Sequence, residues 1–370
     1  MGETILITGG AGFVGRHLTR ALLAEGRQVR ILDSLIAQVH PDRRRPDDLD
    51  DDADLVIGDI RDETAVARAL KGVDAVVHLA AEVGVGQSMY AIDRYTSVND
   101  LGTAVLFQAL IDRPVRRVVT ASSMSIYGEG LYRDAKGGLH QHVVRRPRRA
   151  GEPWDPLDAQ GRPLTPERTP ETKQPSLRSV YAINKYVQER LTLTLTAQYG
   201  MEGCALRLWN IYGPGQALSN HYTGVLAIFA SRIANGQAPM VFEDGRKRRD
   251  FVHVADVCRA FLLALDRREA NGGVFNIGSG EDRTVREVAL LQAASMGRPD
   301  LRPQITEQMR AGDVRHNIPD LSLARDALGY QAREDFSEGL AELAQWVAGQ
   351  EAQDHVAEAR RELELRGLVA

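Results

Sequence analysis

The segment ITGGAGFVG, residues Ile7–Gly15, constrains this chain more than any other feature. Gly9, Gly12 and Gly15 stand three residues apart, directly after a run Thr4–Thr8 that reads as a strand. They open a pattern over Gly15–Glu25 that reads as an amphipathic helix. Glycine permits the sharp turn and lets backbone amides at a helix N-terminus approach a pyrophosphate. Phe13 and Val14 belong to the same turn.

The rhythm continues past this turn. Val29–Asp33, Leu55–Ile57, Ala75–Ala80, Arg117–Ala121 and Cys204–Trp209 read as strands, with helical patterns over Thr64–Leu70, Ser97–Ile111 and Ser179–Tyr199. Such alternation predicts an α/β chain with a doubly wound parallel Rossmann sheet. From Asn210 the periodicity is mixed, and a smaller mixed α/β substrate-binding lobe is expected. The expected division is 1–209 for the dinucleotide-binding domain, with 251–278 returning to it, and 210–370 mainly for the second lobe. Residues 129–175 interrupt the rhythm with seven of the fifteen prolines and the basic run Arg145, Arg146, Arg148, Arg149. So polar a stretch reads as a loop-rich surface insertion. The charged tail from Gln350 reads as helical and peripheral.

Composition narrows the partners. A net charge of −4 opposes a nucleic-acid footprint. No window approaches the roughly eighteen apolar residues of a membrane span, and no signal-peptide pattern opens the chain, so a cytoplasmic protein is expected. Cys204 and Cys258 are too few for a disulfide framework, and His140 and His142 too few for a metal centre, so no metal is expected.

Asp33 closes the second strand, eighteen residues after Gly15. A carboxylate there accepts the adenosine ribose hydroxyls and repels a 2′-phosphate, which favours NAD over NADP. Asp59 with Ile60, and Leu79, Ala80 and Ala81, follow later strands where a bound dinucleotide would pass. His78 reads equally as a cofactor contact or a satisfied structural histidine. Tyr181 and Lys185 stand at i and i+4 on a helical pattern and share one face. An ammonium beside a phenol favours the phenolate, which suits Tyr181 to general base catalysis. Ser123 lies at a strand's carboxyl end, where ligands of such sheets bind, and its hydroxyl can hold a substrate oxygen. Ser122 and Ser125 read either way.

Taken in order, ITGGAGFVG, LDS, GDIRD, HLAA, SSMSIYG, YAINK, LRLWNIYGPGQ, RRDFVHVADV and FNIGSG resemble the extended short-chain dehydrogenases/reductases that modify nucleotide sugars. That resemblance implies a triad of Ser123, Tyr181 and Lys185, with Asn99 near the nicotinamide end of the cleft. It further implies that Asn210 and Arg249 meet the substrate diphosphate, and that Arg310 and Asp313 meet the nucleotide phosphate and ribose. Phe242 is left between stacking on the base and packing in the core. The family's 4,6-dehydratases carry Asp and Glu directly after the serine or threonine position, whereas Met124 and Ser125 stand here. The resemblance therefore implies an NAD-dependent 4-epimerase, most like the dTDP-L-rhamnose branch through AEVGVGQSMY, SSMSIYGEG, YAINKYVQE and GQALSN…YTGV. Relatives in that branch carry cysteine pairs in the insertion; this chain has none there. Alternatives are a ketoreductase or dehydrogenase, a UDP-hexose or UDP-uronate epimerase, and a non-catalytic sugar-nucleotide binder. The expected partners are a dTDP- or UDP-linked sugar and a second copy of the chain, paired through helices near Ser97–Ile111 and Ser179–Tyr199. Neither nucleic acid nor membrane is expected.

Overall fold

The computed structural model describes residues 2–145, 151–218, 224–310, 312–350 and 356–369, with backbone alone for 356–360. Its larger sheet has seven strands, in spatial order Val274–Ile277, Glu202–Leu208, Arg117–Ser123, Ala75–His78, Thr4–Thr8, Gln28–Asp33 and Asp54–Ile57. Every neighbouring pair is parallel. The central strands are buried on both faces, as Ala75–His78 and Arg117–Ser123 are throughout, and each carries a short apolar run, Ala75, Val76 and Val77 in one and Val118 and Val119 in the other.

Strand alternation sorts the core into two layers. Ile5, Ile7, Ile31, Val77 and Val119 pack with Leu18 and Leu22 of the helix Phe13–Ala24 and Phe261 of the helix Val254–Asp266. Leu6, Leu32, Val76 and Val118 pack on the other side with Val66 of the helix Glu63–Ala69 and Leu106, Phe107 and Leu110 of the helix Gly102–Asp112. Both cysteines are free and buried in the first layer. The chain starts near the middle of the sheet, lays two strands to one side, then crosses to the other. This reversal, between Thr4–Thr8 and Ala75–His78, opens a crevice at the carboxyl ends of the strands.

A second sheet orders Asn210–Tyr212, Arg248–His253, His316–Pro319, Thr165–Thr169, Leu131–Arg133 and Leu139–His140, with Asp282–Thr284 antiparallel to Arg248–His253. Three of these strands come from the stretch 129–175. The stretch is therefore loop-rich but not loop alone, and a boundary at 209 cuts through this sheet. Composition does not reveal this because several polar groups of the stretch are buried and paired, while others such as Lys136 and Gln160 stay exposed. Lys173 is 2% exposed and its Nζ donates to the carbonyls of Tyr127 at 2.9 Å and Gln174 at 3.3 Å. Arg145 pairs with Glu129 at 3.1 Å and Glu243 at 2.6 Å; Arg146, Arg148 and Arg149 lie outside the described residues. The return to the larger sheet begins at Val254 rather than Phe251, since Arg248–His253 belongs to the second sheet. Among the described residues, no helix is long and apolar enough to cross a membrane.

Candidate active site

A cavity of about 1770 Å³ opens between the two sheets. At its inner end Gly9, with φ of 70°, turns the chain away from the first strand, and its amide donates to Leu32 O at 2.8 Å. A Cβ on Gly9 would stand 2.8 Å from the Ala80 backbone, and one on Gly15 would stand 2.5 Å from the Gly10 backbone. Gly12 precedes the helix Phe13–Ala24 with no side-chain cap and no acid in the first turn, whereas Asp62 caps the helix Glu63–Ala69 through the Thr64 amide at 2.9 Å. The uncapped amides, with Gly12, Phe13, Val14 and Gly15, line the cavity. That cradle suits a dinucleotide pyrophosphate.

Asp33 stands at the lip, its carboxylate accepting from the amides of Ala11 at 3.0 Å and Leu35 at 2.9 Å. It lines the cavity, as do Asp59, Ile60, Leu79, Ala80 and Ala81. The Arg61 guanidinium, hydrogen-bonded to Asp59 at 2.7 and 2.9 Å, holds that carboxyl below its usual range. Two residues stand behind the wall. His78 is 1% exposed, within 2.7 Å of Thr8 Oγ1 and 2.9 Å of Thr103 Oγ1, and burial lowers it to about 3. It is a neutral, satisfied histidine. Asn99, expected in the cleft, is fully buried instead: it accepts from the Glu82 amide at 2.7 Å and donates to the Glu82 carbonyl at 3.1 Å. Its amide matches one backbone unit of the loop and so shapes the wall from outside.

The serine strand ends with hydroxyls in separate roles. Ser122 donates to Glu189, itself paired with Arg207 at 2.6 Å, and is tied into the core. Ser123, Tyr181 and Lys185 line the cavity together, and the Ser123 hydroxyl accepts from the Ser125 amide at 3.1 Å. Ser179 caps the helix Val180–Gln198 through the Ala182 amide at 3.1 Å, which sets the phase that turns Tyr181 and Lys185 inward. Lys185 Nζ donates to Ala121 O at 3.0 Å. Burial pushes the Tyr181 phenol up to about 12, opposed by the Ser123 hydroxyl, and pushes Lys185 down to about 7. Met124 and Ser125 also line the cavity, and Ser125 Oγ is buried without a partner among the described residues.

The outer wall comes from the second lobe. Asn210 Nδ2 donates to Asp250 O at 2.6 Å. Arg249 is 6% exposed and donates to the carbonyls of Arg248 and Arg315, both at 2.9 Å. The Arg310 guanidinium lies 4.5 Å over the Phe242 ring and 3.2 Å from Asp313, so Phe242 faces the cavity while carrying a cation. Burial alone would raise Asp313, but Lys247, Arg310 and Arg249 overcome it and hold its carboxyl well below the usual range. Lys247 escaped the sequence reading. It lines the cavity, with Nζ 2.5 Å from Asp313 and 3.2 Å from Glu243. Its only sequence signal is its place in the basic run before Asp250. Leu363 and Leu368 line the cavity too, so the tail is not peripheral.

Residues 5–278 match the NAD dependent epimerase/dehydratase family. A dTDP-L-rhamnose 4-epimerase of Burkholderia thailandensis is 35% identical over 94% of this chain and 95% of its own length. A dTDP-glucose 4,6-dehydratase of an Actinoplanes species is 30% identical over 92% and 97%. The UDP-glucose 4-epimerase of Thermus thermophilus, solved with NAD, superposes with a TM-score of 0.75 at 29% identity, covering 94% of this chain and 100% of that one. A glycine cradle at an uncapped helix, a cavity-lining carboxylate at the end of the second strand and a Ser–Tyr–Lys cluster fit an NAD-dependent enzyme of the extended short-chain dehydrogenase/reductase type. The chain belongs to the NAD dependent epimerase/dehydratase family.

Proposed function

We propose that this enzyme inverts C4 of a nucleotide-diphosphate sugar, with dTDP-L-rhamnose and its C4 epimer, the 6-deoxy-L-talose, as the pair. The observation that carries the reading is the cluster Ser123, Tyr181 and Lys185 followed by Met124 and Ser125. Neither of the last two has a carboxyl to drive elimination of water, so the cluster supports a redox-neutral cycle. The 35% identity to a dTDP-L-rhamnose 4-epimerase supports the choice of sugar.

Bound NAD would supply the acceptor, and then the donor, for the C4 hydride. Tyr181 accepts the O4 proton, and Ser123 holds O4 through its hydroxyl. Lys185, fixed to the Ala121 carbonyl, would hold the nicotinamide ribose, and in its charged form would favour the phenolate of Tyr181. Asn210, Arg249 and Arg310 hold the diphosphate, and Asp313 holds the ribose. The 4-keto sugar turns within the cavity and receives the proton back from Tyr181. Exposed apolar side chains Leu101 and Ile183, 53% and 44% exposed on neighbouring helices, support a homodimer, which light scattering of the purified protein tests.

The deciding experiment incubates the protein, without added cofactor, with dTDP-L-rhamnose and follows the sugar by proton NMR. Appearance of the C4 epimer with no net NADH supports the reading. Conversion of UDP-glucose or UDP-glucuronate instead keeps the epimerase and replaces the sugar. Turnover only with added cofactor and stoichiometric redox change sinks the epimerase and leaves a ketoreductase or dehydrogenase.

A further inference from the structure

The C-terminal segment touches both sides of the cavity. The helix Val356–Leu365 ends at Gly367, whose φ is 67°, and the Leu368 amide donates back to Leu363 O at 2.8 Å. That reversal, a left-handed glycine ending a helix, turns Leu368 towards the same space as Leu363. Leu363 is 8% exposed, although Leu365 two residues on is 77% exposed. A Cβ on Gly86 would lie 3.6 Å from Leu363 Cδ2, so this leucine covers the glycine of the short helix Val85–Ser88. The same region is held again by Arg366, whose guanidinium carbon lies 4.3 Å over the Tyr90 ring. On the opposite wall Val369 pairs as an antiparallel bridge with Arg310, which also stacks on Phe242 and meets Asp313.

We propose that residues 361–369 form a closing wall over the nucleotide-sugar cavity, which must lift for substrate to enter and product to leave. The inference rests on the nucleotide-sugar reading above. Among the described residues, two leucines, one cation over a ring and one backbone bridge tie the segment to the cavity walls. A terminal element held at its edges opens at lower cost than the core. Closure serves a cycle that passes through a free 4-keto sugar, because a wall fixed to both lobes keeps that species beside the cofactor while it turns. It also ties the tail's position to Arg310, so occupancy of the nucleotide end and closure favour each other.

The test uses the full chain carrying both Leu363→Asp and Leu368→Asp, with dTDP as the probe and its release followed by stopped-flow competition. Release at least about tenfold faster than from the unchanged protein, at equal NAD content, is expected. A release rate equal to that of the unchanged protein overturns the inference. Hydrogen exchange on the unchanged protein gives a reading independent of the substitutions. The amides of 361–369 should exchange more slowly when dTDP is bound, and equal exchange overturns the inference. A full-length protein that binds neither dTDP nor UDP removes the nucleotide-sugar reading, and this inference with it. Binding with unaltered release in the variant removes this inference alone.

Discussion

Tyr181 and Lys185 occupy an environment that opposes the charges their chemistry needs. Burial raises the phenol to about 12 and lowers the lysine to about 7. Lys185 therefore has a folded value below its unfolded value of about 10.4. The cost of burying its ammonium is complete below pH 7 and fades as the pH rises towards the unfolded value. Lys185→Met should thus stabilise the cofactor-free fold by about 1–2 kcal/mol at pH 7. That gain should shrink as the pH is raised to about 10, which thermal melts across the range would reveal. The same variant should lose most activity, since the phenolate loses its cationic neighbour. Tyr181→Phe, which removes the proton acceptor, should lower kcat about 10²- to 10⁴-fold. Its NAD content, read by absorbance after denaturation, should remain near that of the unchanged protein. Loss of NAD in Tyr181→Phe would mean the ring holds cofactor rather than protons.

Single elements carry the cofactor cradle. The strand Thr4–Thr8 and helix Phe13–Ala24 approach closely only because Gly15 has no side chain, its absent Cβ falling 2.5 Å from the Gly10 backbone. Gly15→Ala should push the helix outward at a cost of about 1–3 kcal/mol. The cradle amides move with it, so the purified variant should contain little NAD and melt at a lower temperature. Retention of full NAD content would show that the helix has room to shift. This device was readable in the sequence because every participant lies within Thr4–Ala24 and the turn has no other economical explanation. The pairing of Tyr181 with Lys185 was readable for a related reason, since one helical turn brings them together. Asn99 lies beside the cleft, behind Glu82, but its position in the helical stretch does not reveal which way its amide faces. The Glu82 backbone decides that.

At the scale of the molecule, a buried ionic network ties the stretch 129–175 to the nucleotide wall. Arg315 is 1% exposed and meets Asp155 at 2.7 Å, Glu243 at 3.0 Å and Asp244 at 2.5 Å. Glu243 also meets Arg145 and Lys247, and Lys247 meets Asp313. Removing one member leaves buried charges unmatched, which costs far more than an intact pair contributes. Arg315→Met should destabilise the protein by about 3–5 kcal/mol in denaturant titration. It should raise the KM for the sugar nucleotide more than it lowers kcat, because Lys247 and Asp313 lose their support while the Ser123–Tyr181–Lys185 cluster does not. An unaltered KM would separate the network from substrate binding.

The sequence by itself determined the parallel sheet, the glycine turn and the helix that pairs Tyr181 with Lys185, because each is written in neighbouring residues through glycine spacing, apolar runs and helical phase. Tertiary structure alone decided what holds the outer wall of the cavity in place. Asp313 reaches Lys247 across 66 positions, and the Arg315 amide reaches Glu129 across 186. The polar stretch 129–175 becomes sheet and the charged tail becomes wall because their partners sit elsewhere in the chain. A charge reads as surface in sequence until the fold supplies the opposite charge that lets it be buried.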